Sequence, residues 1–271
     1  MVDIGVNLTH RSFDRDRDAV VARGEAAGVA TLIITGTTIH DSERAIELAA
    51  ARPRRAYATA GVHPHHAKDC DERTIDTLRA LAANGAVVAI GECGLDFNRD
   101  FSPRDVQERW FEAQLALAAE LALPVFLHER DAAEHMLAIL TAHRPRIAGG
   151  VIHCFTGTRA TAERYLALDL HIGITGWICD ERRGADLVDA VRAIPLDRMM
   201  IETDAPFLLP RTRKPAPSER RNEPAYLSDI VRALARATGH DESEIATATT
   251  STARRFFRIA EPTNEARDPL R

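Results

Sequence analysis

Eight short apolar runs rich in β-branched residues alternate along the chain with longer stretches of helical spacing. The runs cover 2–6, 31–36, 56–63, 86–96, 124–130, 149–156, 170–176 and 199–206. Near-continuous apolar strands do not suit a sheet wetted on one face, so they imply a parallel sheet covered by the intervening helices. Eight such units within 271 residues predict an α/β fold, a (β/α)8 TIM barrel in a single domain. The helix after the fourth run is the clearest. Ser102 is placed to cap it, Pro103 sits in its first turn, and Val106, Trp110, Ala113 and Leu117 form a stripe facing the sheet. An extra helix pair is expected around 225–237 and 242–257. The barrel domain is read as 1–259, and 260–271, polar with two prolines, as a flexible tail. The competing architecture is an open doubly wound sheet. Against it, no G-x-G-x-x-G follows the first run and no Walker-type loop occurs.

Composition narrows the function classes. With 45% hydrophobic and 28% charged residues, the chain is neither largely disordered nor a disulfide scaffold. No stretch approaches about 18 uninterrupted apolar residues, and 1–18 lacks the basic and apolar regions of an export signal, so no membrane association and a cytoplasmic location are expected. Cys70, Cys93, Cys154 and Cys179 lie far apart with no C-x-x-C pair, which fits a reducing compartment. A net charge of −5 argues against nucleic-acid binding through overall charge, leaving only a local basic patch for that purpose.

In a barrel of this kind, the C-terminal ends of the strands converge on one face. Collecting potential metal ligands at the ends of the runs gives His63, His65, Glu92, Asp96, His128, His153, Glu202 and Asp204. Two residues apart on one run, Glu202 and Asp204 are expected to face the same cavity; several carboxylates facing one closed space need compensation, and a divalent cation supplies it. A single histidine in an apolar run, such as His153, is more often a hydrogen-bonded core residue; it is the rank of acids and histidines at strand ends that points to a metal. His10, His40, His135, His143, His171 and His240 are read as surface or helix residues. Strand alternation turns Cys93 and Cys154 to the opposite face, as packing residues. Neither of the two lysines, Lys68 and Lys214, lies in a strand, so no strand-borne carboxylated lysine is available to bridge two metals.

These residues carry a resemblance. The segments Asp3-Ile-Gly-Val-Asn-Leu-Thr, Gly61-Val-His-Pro-His, Ile90-Gly-Glu-Cys-Gly-Leu-Asp-Phe, Pro124-Val-Phe-Leu-His-Glu-Arg-Asp, Ile152-His-Cys-Phe-Thr-Gly, Ile201-Glu-Thr-Asp-Ala-Pro and Arg220-Arg-Asn-Glu-Pro resemble the motifs of the TatD family of metal-dependent deoxyribonucleases. They span almost the whole chain in the family's order. The resemblance implies a hydrolase related to the amidohydrolases, with Glu92, His128, His153 and Asp204 as metal ligands. It favours magnesium, whereas the donor types alone equally accept zinc or manganese. It further implies a 3'-5' exonuclease acting on single-stranded DNA and also RNA, in DNA repair or turnover, and a monomer is expected. One departure stands out: many members carry His-x-His on the first strand, where this chain has Asn7 and Thr9. Neutral oxygen donors replace two imidazoles there, so one firm metal site is expected and the first-strand metal should bind weakly.

Glu92 and Asp204 are then the expected catalytic carboxylates, Asp204 as ligand or as the group that orients water. His63 is expected to contact the phosphate or the leaving group, and His65 to lie at the rim. The loop after the last run supplies a basic patch in Arg211, Arg213, Lys214, Arg220 and Arg221 against Glu219. Arg130, Arg220 and Arg221 are the expected substrate contacts, since they fall in the family motifs. Trp177 and Phe207 either stack on bases or pack internally. Two other functions remain open at this point. One is a different hydrolase on the same scaffold, such as a D-aminoacyl-tRNA deacylase, because fold and metal site do not fix the substrate. The other is a non-catalytic nucleic-acid-binding module, against which the retained ligand set argues.

Overall fold

A computed structural model of the chain describes residues 1–217 and 219–260. The strands β1 (Val2–Val6), β2 (Thr31–Ile34), β3 (Ala56–Ala60), β4 (Val87–Asp96), β5 (Val125–Arg130), β6 (Gly150–Ile152), β7 (His171–Ile174) and β8 (Met199–Ile201) form one parallel sheet in sequence order. Between them run α1 (Arg17–Ala26), α2 (Ile39–Ala50), α3 (Thr74–Ala82), α4 (Arg104–Leu121), α5 (Ala133–His143), α6 (Arg159–Ala167) and α7 (Ala185–Val191). The extra pair α8 (Leu227–Thr238) and α9 (Glu242–Phe257) follows β8. The expected TIM barrel forms, with eight strands inside and helices outside. Of the expected tail, 261–271 lies outside the described residues.

Two apolar cores hold it. The larger lies between sheet and helices; the smaller fills the barrel with Ile4, Ile33, Ala89, Phe126, Val151 and Met200. The smaller core continues into Ala253 and Phe257 of α9 and then Ile259, so α9 seals the end of the barrel away from the C-terminal strand ends. Among the described residues, the cavity opens at the opposite end.

Strand register slips on β4 between Ile90 and Cys93. Gly91 lies in the slip with φ +137°, and a Cβ there would stand 2.2 Å from the Phe126 carbonyl oxygen. Only glycine fits, and the irregularity re-aims the next side chain, Glu92, relative to regular alternation.

The seam between β1 and β8 is closed largely by loop and side-chain hydrogen bonds. Asp204 N donates to Gly5 O and Asn7 N to Ala205 O, both at 2.8 Å. Fully buried Asp3 accepts the Thr203 N–H at 2.9 Å and its hydroxyl at 2.6 Å, clamping the backbone between Glu202 and Asp204.

Two buried glutamines on α4 do similar work. Gln114 accepts from Val62 N at 2.8 Å and donates to Val62 O at 3.1 Å; Gln107 does the same for Asp96 N and O at 2.8 and 3.1 Å. Each side-chain amide stands in for a missing strand partner. The buried face of α4 is therefore centred on Gln107, Trp110, Phe111, Gln114 and Ala118, with Val106 and Ala113 of the expected stripe only half-buried. The expected Ser102 cap is also corrected. Its hydroxyl donates to His65 O and accepts from Lys68 N, so it ties down the loop after β3, and Pro103 occupies the cap position without a side-chain bond.

Burial pushes the Asp3 carboxyl up to about 7. The folded chain thus keeps a proton that the unfolded chain loses near pH 4, and this group's stabilising contribution is lost as pH rises from about 4 to 7, at no more than about 1.4 kcal/mol per pH unit. In urea titrations of metal-free protein, Asp3→Asn should show a smaller fall in stability between pH 5 and 8 than the parent. Asp3→Ala, which leaves two Thr203 donors unmet, should cost about 2 kcal/mol or more at pH 5.

Candidate metal centre

At the open end of the barrel, a cavity of about 370 Å³ is lined by Asn7, Thr9, His63, His65, Glu92, His128, Arg130, His153, Cys154 and Asp204 among others. Its centre is one carboxylate oxygen. Glu92 Oε1 lies 2.9 Å from His128 Nδ1 and 3.3 Å from both His63 Nε2 and His153 Nε2. Burial opposes the Glu92 charge, but His153, His63 and His128 outweigh it and hold the carboxyl well below its usual range.

The imidazoles are themselves oriented. His153 Nδ1 donates to Glu202 Oε2 at 2.8 Å, which turns Nε2 toward the cavity, and the other Glu202 oxygen accepts Cys154 N. Burial disfavours charge on His153, yet Glu202 and Glu92 raise its pKa well above the ordinary value. His128 lies between Glu92 and Asp96 Oδ2, 3.3 Å away; burial again disfavours its charge, and the two carboxylates lift its pKa to about 8. His63 is different. Its Nδ1 accepts the His65 backbone N–H at 3.1 Å, so its ring proton sits on Nε2, facing Glu92. Burial and the neighbouring His128 bring its pKa down to about 4, which keeps the ring neutral. Asp204 accepts from Asn7 Nδ2 at 2.8 Å, and burial together with Glu92 and Glu202 pushes its carboxyl up to about 7 despite His153.

The donors fit a divalent ion. Two groups of potential ligands, His63–Glu92–His128 and His153–Cys154–Asp204, each bring their atoms within 4.8 Å of one another. Within each group, protons shared between acid and imidazole stand where a divalent cation would serve the same carboxylate.

Glu92, His128, His153 and Asp204, read from the sequence as ligands, thus meet in one cavity with His63. Asp96 and Glu202 come to the same place as supports. Asp96 Oδ2 accepts from His65 Nε2 at 2.6 Å, so half-buried His65 packs inward as well as at the rim. Glu202 is fully buried and does not share the cavity wall with Asp204, because β8 ends at Ile201 and alternation stops there. The same limit corrects Cys154. It lies beyond the end of β6 with φ +46° and lines the cavity, whereas Cys93, inside β4, is buried as expected. His10, expected on the surface, also lines the cavity, carried there by the loop that follows β1. Thr37 and Asp41 belong to the wall too; their only signal was position after the second run.

Much of the basic loop is paired. Arg211 meets Asp180 at 3.0 Å, and Arg213 meets Asp229 at 2.7 Å while lying over Tyr226. Arg221 binds Asp16 and Glu223 at 2.7 and 2.8 Å over the Phe13 ring, so its charge is committed within the fold. Arg220 is exposed, with no ion pair among the described residues. Arg130 lines the cavity, bonded to Thr156 Oγ1 at 2.9 Å and lying over Trp177. Trp177, between Arg130 and Arg183, is half-buried, while Phe207 is 49% exposed.

Glu202 accepts two bonds, and an amide there offers one acceptor. Glu202→Gln should therefore weaken divalent-metal affinity by about 10- to 100-fold in calorimetric titration while the protein stays folded by circular dichroism.

Comparison with known proteins agrees with this architecture. The family model described as TatD related DNase matches residues 2–258. A relative named 3'-5' ssDNA/RNA exonuclease TatD, from Erwinia tasmaniensis, is 53% identical over 96% of this chain and 100% of its own length. Its namesake from Pantoea vagans is also 53% identical, with the same coverage. Among solved structures, a TatD homologue from Escherichia coli K12 superposes with a TM-score of 0.87 at 28% identity, covering 96% of this chain and 98% of that one. Since the family match runs through every strand of the barrel and the relatives align along their whole length, the chain belongs to the TatD family of DNases, metal-dependent hydrolases.

Proposed function

We propose that the cavity is a phosphodiesterase site that removes nucleotides from the 3' end of single-stranded DNA or RNA. The observation that carries this reading is Glu92 Oε1, reached by three imidazoles at the open end of an otherwise sealed barrel. The relatives' name supports the substrate and the direction.

Glu92, His128, His153 and Asp204 would hold a divalent ion, which supplies charge neutralisation and an acidified water. Imidazoles suit Mn2+ or Zn2+, and the family resemblance favours Mg2+. Asn7 spends its side chain on Asp204, which supports the reading of the first strand as a weak metal site and a positioning element. Around the ion, this chain's residues have separable tasks. Asp204, held by Asn7 Nδ2 at the cavity wall, would orient the attacking water and take its proton. Neutral His63 presents an Nε2–H to a phosphoryl oxygen. Arg130 at the wall and Arg220 in the last loop contact the backbone phosphates; Arg221 serves mainly to hold that loop against α1 through Asp16 and Glu223. Four free cysteines suit action in the cytoplasm, in repair or turnover of nucleic acid, and we read the working unit as the monomer.

The test is end-labelled single-stranded DNA incubated with Mg2+, Mn2+ or Zn2+, read as a product ladder. A ladder shortening from the 3' end, lost on chelation and abolished by Glu92→Ala or His128→Ala, is expected. Unchanged cleavage in those variants, or release of amino acid from D-aminoacyl-tRNA without any cleavage of DNA, would replace the reading with another hydrolase. His63→Ala should retain metal binding yet lower kcat by about tenfold or more, from loss of one charge-assisted contact.

A further inference from the structure

Among the described residues, the large apolar side chains left exposed are two, Phe101 at 55% and Phe207 at 49%. Every other large hydrophobic side chain is at least partly covered, so their shared location matters. Phe101 lies five residues beyond Asp96, the carboxylate that holds His65 and His128. Phe207 lies three residues beyond Asp204, and its N–H closes a turn on the Asp204 carbonyl at 3.0 Å. In a closed ring ordered β1 to β8, β4 and β8 are opposite each other. Phe207 lines the cavity itself and Phe101 stands against His65, which also lines it, so the two phenyl rings flank one opening from the β8 and β4 sides.

Both rings meet a histidine at an angle. Phe101 and His65 have centroids 4.7 Å apart with planes at 63°, and Phe207 and His10 are 5.4 Å apart at 71°. Neither phenyl is stacked flat on its imidazole, so neither imidazole covers a phenyl face by parallel stacking. Phenyl rings have no hydrogen-bonding groups, hence no means of reading a base edge; what they offer is a π-face, which every nucleobase can use.

We propose that Phe101 and Phe207 are stacking platforms for two successive unpaired bases, one on each bank, which suspend the phosphodiester between them over Glu92. This rests on the phosphodiesterase reading above and adds how a strand is held. It also gives a physical source for single-strand selectivity: paired bases in a duplex already stack on each other and have no free face to give. Because stacking is indifferent to base identity and to the sugar, DNA and RNA are both accommodated.

The test crosses the protein rings with the substrate bases. The parent, Phe101→Ala, Phe207→Ala and the Phe→Trp versions of each are assayed on a single-stranded oligonucleotide and on the same strand with abasic sites at its last two positions. Binding is measured by fluorescence anisotropy in chelator and cleavage with Mg2+ or Mn2+. For the intact strand, each alanine variant should weaken binding and raise KM by about 5- to 100-fold with kcat little changed, and tryptophan should restore both. On the abasic strand, the parent and the alanine variants should be nearly equal. Equal losses on intact and abasic strands, or no loss on either, would overturn the proposal. The two readings fail separately. A parent that prefers the intact strand in binding but cleaves none keeps the platforms and sinks the nuclease reading, whereas cleavage indifferent to both rings does the reverse.

Discussion

A single carboxylate oxygen, Glu92 Oε1, organises the open end of this barrel, because three imidazoles from three different loops and strands turn toward it. Placing a charge in so enclosed a space is costly unless partners surround it. Here the partners are histidines, and each is steered by a further group: Glu202 behind His153, Asp96 beside His128, and the His65 N–H on His63. The arrangement separates the imidazoles chemically. His153 and His128 are drawn toward protonation or metal, while His63 is held neutral with its proton aimed inward.

Keeping that geometry depends on backbone that regular strands do not supply. Short parallel strands leave polar groups unpaired just where the functional side chains begin. Gln107 and Gln114 satisfy Asp96 and Val62 from the side of α4, and Asp3 holds Thr203 across the seam. Buried polar residues that do not touch the cavity thereby fix the positions of those that do.

The fold was legible because its signal is periodic: eight apolar runs and the helices between them are repeated too often to be read otherwise. That acids and histidines at strand ends would gather at one end of the barrel was legible, and the family resemblance singled out Glu92, His128, His153 and Asp204 among the eight as the expected ligands. What alternation could not reach lay beyond the strands. Cys154 and His10 sit in loops, where a period of two has no meaning, and Glu202 parted from Asp204 for the same reason. The role of Ser102 depended on a loop thirty-odd residues earlier in sequence, through Lys68 and His65. Arg221 matched a motif, yet its partners Asp16 and Glu223 are visible only in three dimensions.

The plug formed by α9 has a consequence for traffic. With Phe257 and Ile259 packed into the far end, the barrel is a blind alley and not a tunnel. For an enzyme trimming a polymer, the severed mononucleotide must back out through the doorway by which the strand came in. The shortened end has to make way before it can advance again, so departure of the cut piece and the next step of feeding compete for one passage.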